Sequence, residues 1–75
     1  MEGLGFSPDA MKIQLNGQSR DVLATTVAAL LKEIHLLPSQ VAVEHNGTVL
    51  FRHELDHAKL QADDKLEIIR VVAGG

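Results

Sequence analysis

Two sets of residues in this chain have the types and spacing to do chemistry. The first is Gly74-Gly75, the last two of its 75 residues, set directly behind the hydrophobic run Leu66-Glu67-Ile68-Ile69-Arg70-Val71-Val72. Glycine has no Cβ, so such a pair can enter a channel too narrow for any side chain and take backbone angles closed to other residues. A free carboxylate on Gly75 would be both movable and covalently addressable. The second set is His53-Glu54-Leu55-Asp56-His57, which matches the H-E-x-x-H pattern of zinc proteases. Taken literally, His53 and His57 would bind zinc and Glu54 would be the general base.

The second set is the weaker one. Its five letters carry little information, and Arg52 and Asp56 place charge where a metalloprotease helix is apolar. His35 and His45 lie in other segments with no third-ligand spacing, and a domain of this length has no room for a substrate cleft. The reading favoured from sequence is a solvated polar turn, with adventitious metal binding by the i, i+4 histidine pair as second choice. No catalytic residue and no metal site are therefore expected within the chain.

The elements that would position the C-terminal glycines can be read from hydrophobic period. Met11-Lys12-Ile13-Gln14-Leu15 alternates as a strand with one buried face, and Asn16-Gly17 is a two-residue hairpin signal because a type I′ turn needs two positive φ angles. Gln18 to Leu23 returns as a second strand. Thr25 or Thr26 can cap a helix, whose apolar stripe is Val27, Leu30, Leu31 and Ile34. That helix is expected over Thr26–His35, limited by Pro38. Val41–His45 is a third strand, turned by Asn46-Gly47 into a fourth around Thr48–Leu50. Arg52–Lys59 should be a short helix or turn, Leu60 a core plug, and Leu66–Val72 the last strand. The order β-β-α-β-β-β lets one helix cover one face of a sheet. The inward set is Ile13, Leu15, Val27, Leu30, Leu31, Ile34, Val41, Val43, Leu60, Leu66 and Ile68.

Composition narrows the function classes. A formal net charge of -3, from 10 acidic against 7 basic residues, and only two aromatics, Phe6 and Phe51, argue against a nucleic-acid binder. No apolar run approaches a membrane span, and residues 1–10 lack the basic start and apolar stretch of a signal peptide. They read as a disordered leader or expression remnant ahead of a single domain over residues 11–72, with 73–75 as a flexible tail. The absence of cysteine excludes a disulfide framework and a thiol nucleophile and fits a cytoplasmic setting.

The opening Met11-Lys12-Ile13-Gln14-Leu15-Asn16-Gly17, the single capped helix and the ending Asp64-Lys65-Leu66-Glu67-Ile68-Ile69-Arg70-Val71-Val72-Ala73-Gly74-Gly75 resemble the ubiquitin-like sulfur carriers, closest to their thiamine-biosynthesis branch. The resemblance runs from Met11 to Gly75. The related molybdopterin-synthase small subunits carry a proline-containing stretch before their glycine pair, and Ile69–Ala73 has none. The resemblance implies an α+β, β-grasp (ubiquitin-like) fold: a mixed sheet of four to five strands with one main helix across one face, its first and last strands adjacent and parallel at the centre. It further implies that an E1-like adenylyltransferase of the ThiF type activates the Gly75 carboxylate with ATP. Sulfur from a donor protein then gives a thiocarboxylate, which a thiazole synthase of the ThiG type consumes. The chain would be a carrier and co-substrate of these enzymes, with no bound cofactor.

The chemistry is consistent with that cycle. A carboxylate with a pKa of about 3.5 is ionised at neutral pH and a poor electrophile, so it needs a leaving group before sulfur can attack. Gly75 would be the covalent site, and Gly74 and Ala73 would give reach, since three extended residues span about 10 Å. No phosphate-binding glycine loop is present, so ATP belongs to the partner. Ile69 and Val71 alternate away from Leu66 and Ile68 and would form a partner-docking patch next to the tail. Arg70 would sit past the core rim as a surface arginine or an electrostatic contact to the activating enzyme, with Glu67 equally open. Phe51 could extend the patch or pack under Arg52–Lys59. Two other readings remain: a molybdopterin-type carrier, and a ubiquitin-like modifier that conjugates to lysines.

Overall fold

The structure is a computed structural model that describes residues 10–71. Residues 1–9 of the expected leader, and Val72 with the expected tail Ala73-Gly74-Gly75, lie outside the described residues. Five strands form one mixed sheet: β1 (Met11–Leu15), β2 (Gln18–Val22), β3 (Val41–His45), β4 (Thr48–Leu50) and β5 (Lys65–Arg70). Their order is β2-β1-β5-β3-β4. The last strand thus occupies the centre, parallel to β1 and antiparallel to β3, with α1 (Val27–Glu33) as the α-helix. This is the β-grasp arrangement that the sequence implies.

Both Asn-Gly pairs turn as expected, with φ of 51° and 83° at Asn16 and Gly17 and of 51° and 87° at Asn46 and Gly47. The asparagines do more than turn the chain. Asn16 Oδ1 accepts the Ile68 N–H at 2.7 Å while its Nδ2 donates to the Ile68 carbonyl at 3.2 Å. Asn46 Oδ1 likewise accepts the Lys65 N–H at 2.8 Å. The turn of each hairpin is therefore clipped onto β5 by a side-chain amide that imitates a backbone partner.

The helix is shorter than its apolar stripe suggested. Thr26 caps it, its hydroxyl accepting the Ala29 N–H at 3.1 Å. It ends at Glu33 rather than His35, well before Pro38. The cause is local: His35 takes φ of 63°, and the His35 and Leu36 N–H groups fold back onto the Lys32 and Leu31 carbonyls. This double back-bond is the Schellman closure usually built on glycine. Pro38 instead starts a 3-10 turn, Pro38–Gln40, that leads into β3.

Between α1 and the sheet lie Ile13, Val22, Ala24, Val27, Leu30, Leu31, Val43, Leu55, Leu60, Leu66 and Ile68, all buried. Three expected core residues, Leu15, Ile34 and Val41, are only partly buried against this cluster. Leu15 and Val41 stand at strand ends, and Ile34 has left the helix, so each meets the core at its margin. Val22, Ala24 and Leu55 fill the space instead. Val22 stands opposite Met11, on the core-facing side of a β2 otherwise exposed along its length.

Candidate functional site

The approach to the C-terminal residues is set by β5. Leu66 and Ile68 point toward α1 and are buried, whereas Ile69 is 62% and Val71 47% exposed. Alternation along a strand puts Glu67, Ile69 and the following Val71 on the face opposite α1, which no helix among the described residues covers. The Val71 N–H still donates to the Gln40 carbonyl at 2.8 Å. The ladder thus continues one residue past β5, and at Val71, the last described residue, the chain is tethered to the Pro38–Gln40 turn. Gly75, Gly74 and Ala73, the expected covalent and access residues, lie outside the described residues.

Cross-strand register fills in the rest of that face. Ala42 stands opposite Ile69 and Glu44 opposite Glu67, while Val49 of β4 stands opposite Glu44. Val49 is 56% exposed and Phe51, next but one along the same strand direction, 64%. Phe51 does not pack beneath the Arg52–Lys59 segment. Its ring is stacked on His53, centroids 6.2 Å apart and planes within 2°, a spacing at which aromatic rings attract. The patch expected from Ile69 and Val71 is therefore wider than those two residues. The added members were legible in principle, because period two in Val41–His45 separates Ala42 and Glu44 from Val43. Arg70 stands opposite Val41 and is exposed. The strand still pairs there, so Arg70 is not past the core rim as the sequence suggested: it ends β5 in the row of Leu66 and Ile68, exposed because that row runs out of core at the end of the strand.

The H-E-x-x-H segment has a structural occupation. Arg52–Glu54 is a 3-10 turn, not a helix of the length that motif needs. Glu54 Oε1 accepts the Phe51 N–H at 2.7 Å, so the would-be general base caps its own turn. The Leu55 and Ala58 carbonyls accept the Ala28 and Val27 N–H groups at 3.0 and 2.9 Å, supplying partners for the exposed start of α1. Leu55 anchors the segment in the core. Leu50, His53, Glu54, His57 and Ala58 border an open recess on the surface. Among the described residues, no group of three or more His, Cys, Asp or Glu side chains is gathered to hold a metal.

One polar cluster ties the other end of β5. His45 Nε2 and Asp64 Oδ2 are 2.7 Å apart, and Asp64 also accepts from Asn46 Nδ2 at 3.1 Å and the Gln61 N–H at 2.9 Å. Partial burial alone would raise the Asp64 carboxyl, but the hydrogen bonds from His45, Gln61 and Asn46 outweigh it and hold the group below its ordinary value. The cluster fixes the β3–β4 hairpin against the start of β5.

No helix among the described residues is long and apolar enough to cross a membrane. Comparison with known proteins places this geometry in context. A thiamine biosynthesis protein (ThiS) from Geobacter metallireducens, solved by crystallography, superposes with a TM-score of 0.74 at 29% identity over 87% of this chain and all of that one. The solution structure of a thiamine biosynthesis protein from the same organism gives 0.71, again at 29% identity, over 87% and 88% of the two chains. In sequence, 66 residues are 39% identical to a thiazole synthase of Magnetococcus marinus and 36% identical to one of Paramagnetospirillum magneticum. Those matches take in 87% of this chain but only 20% of each synthase, so the chain spans about a fifth of these relatives' length. The ThiS family model matches residues 13–75, from the middle of β1 to the final glycine, and the chain belongs to the ThiS family.

Proposed function

We propose that this protein is the sulfur carrier of thiamine biosynthesis, with the Gly75 carboxylate as its working group. The observation that carries this reading is the family match over residues 13–75, which takes in the glycine pair as well as the domain. In the cycle, a carboxylate oxygen of Gly75 attacks the α-phosphorus of ATP in an E1-like enzyme, and pyrophosphate leaves. Hydrosulfide released by the donor then attacks the acyl carbon and AMP leaves, so that one C–O bond becomes C–S and a free thiocarboxylate results. The chain contributes the acyl group and the docking surface. Activation belongs to the partner, and the process fits a cytoplasmic setting.

A thiazole synthase is proposed as the acceptor. Support comes from the two relatives bearing that name, in which a segment like this one makes up a fifth of the chain. A chain of that name that includes such a segment is what a working partnership would favour, because tethering raises effective concentration. The open face of β5, with Ile69 and Val71 next to the tail and Arg70 at its rim, would dock first on the activating enzyme and then on the synthase. Ile69→Asp should weaken both complexes and leave the fold intact, since that side chain is exposed.

The experiment is intact-mass measurement after incubation with ATP, the activating enzyme and a sulfur source. The expected result is a gain equal to exchange of one oxygen for sulfur, mapped to Gly75. Deleting Gly75 should abolish the gain without lowering stability, and Gly74→Val should impair it with docking near normal. A chain that still loads without Gly75 refutes the assignment.

A further inference from the structure

The centre of the open face contains an arrangement that the fold alone does not favour. Glu44 and Glu67 are directly opposite each other on neighbouring strands, which brings their Cβ atoms to about 4.5–5.5 Å, and like charges so placed are destabilising. Elsewhere on the same face the sheet does the reverse, since Lys12 of β1 stands opposite Asp21 of β2. Lys65 precedes Glu67 by two residues on the same face, yet no ion pair joins them. Among the described residues, neither Glu44 nor Glu67 accepts a side-chain hydrogen bond. Flanking this doubly negative spot are the exposed apolar residues Val49, Phe51, Ile69 and Val71.

We propose that this face is shaped for a protein surface that brings an arginine guanidinium between Glu44 and Glu67 and an apolar recess to Ile69 and its neighbours. The proposal rests on the carrier reading and names the chemistry of the partner surface. A planar guanidinium offers five donors in a fork and can span two carboxylates, where an ammonium acts as a single point charge. Docking would turn the repulsive pair into a bridged one, and the water-excluding apolar rim would strengthen each contact. A second copy of the chain is a poor occupant. Its matching face carries the same two carboxylates, so a symmetric dimer would bring four together.

The test is calorimetric titration of wild type, Glu44→Gln and Glu67→Gln with the thiazole synthase of the same organism, at low and high salt. Urea denaturation of each variant and sedimentation of the free chain accompany it. Each substitution should leave the chain at least as stable as wild type, because it removes repulsion, yet weaken binding about tenfold. The fall in affinity with salt should also be shallower for the variants. Binding within about twofold of wild type for both variants overturns the inference, as does a free chain that dimerises through this face. Sulfur loading is read separately. A wild-type chain that gains no sulfur sinks the carrier reading. One that loads while its Glu44→Gln and Glu67→Gln variants bind as tightly as before sinks only this inference. A wild-type chain that loads sulfur but does not bind the synthase sinks this inference and the synthase as acceptor, and leaves the carrier reading standing.

Discussion

Replacing Asn16 with Gly tests how far the central strand depends on a side chain 52 residues away in sequence. Glycine keeps the positive φ of 51° without steric cost and removes only the amide. Two hydrogen bonds to Ile68, at 2.7 and 3.2 Å, disappear. Each is worth about 1 kcal/mol net, so the loss should be about 2 kcal/mol. For a domain of this size total stability is about 4–11 kcal/mol, so a fifth to a half of it is at stake. With a urea slope of about 1 kcal/mol per molar, the unfolding midpoint should fall by about 2 M. Hydrogen exchange gives a local check, because the Ile68 N–H would lose its acceptor and its protection. Asn46→Gly removes one bond to the backbone of β5, the Lys65 N–H, and one to the exposed side of Asp64, so it should cost about half as much. A midpoint for Asn16→Gly within about 0.5 M of wild type, or a larger loss from Asn46→Gly, would refute the reasoning.

Four further outcomes are expected. Leu30→Ala, at a fully buried position facing the sheet, should cost about 2–5 kcal/mol in urea unfolding. Asp64 is held below its ordinary value of 3.8, so the ionised form is the one the fold favours. That contribution is complete above 3.8 and is lost as pH falls through the lowered value, so Asp64→Asn should flatten the acid side of the stability profile in that window. His53→Ala and His57→Ala should leave sulfur loading at the wild-type level. Glu54→Ala, by contrast, should lower the melting temperature, because it removes the cap on the Phe51 N–H.

Much of the fold was legible because its signals are local. The alternation in Met11–Leu15, the two Asn-Gly pairs and the cap at Thr26 each depend on neighbours within a few residues. They gave the strands, turns and helix start to within a residue or two. The helix end was not legible, since His35 in a left-handed conformation goes against the usual preference for glycine at that position. Nor was the burial of Leu55, a lone leucine in a polar segment, because its place is set by contact with α1 and not by any period. The amide clips of Asn16 and Asn46 were invisible for a related reason: turn chemistry already explained both residues. The open face was half legible. Alternation in β5 picks out Ile69 and Val71, but setting Glu44 against Glu67 required the β3–β5 register, which no single strand contains.

The position of β5 also has a mechanical consequence. β5 is held by β3 from Leu66 to Arg70 and by β1 at Lys65 and Leu66. The hydrogen bonds of such ladders run across the strand direction. A tug along the strand therefore loads many of them together in shear, whereas a sideways tug opens them one at a time, beginning with Val71 to Gln40. An enzyme that draws the end of this chain straight into a pocket pulls in the stiff direction, and the domain can serve as a rigid handle. A pull at a right angle would start a zipper, and would cost the molecule its middle strand first.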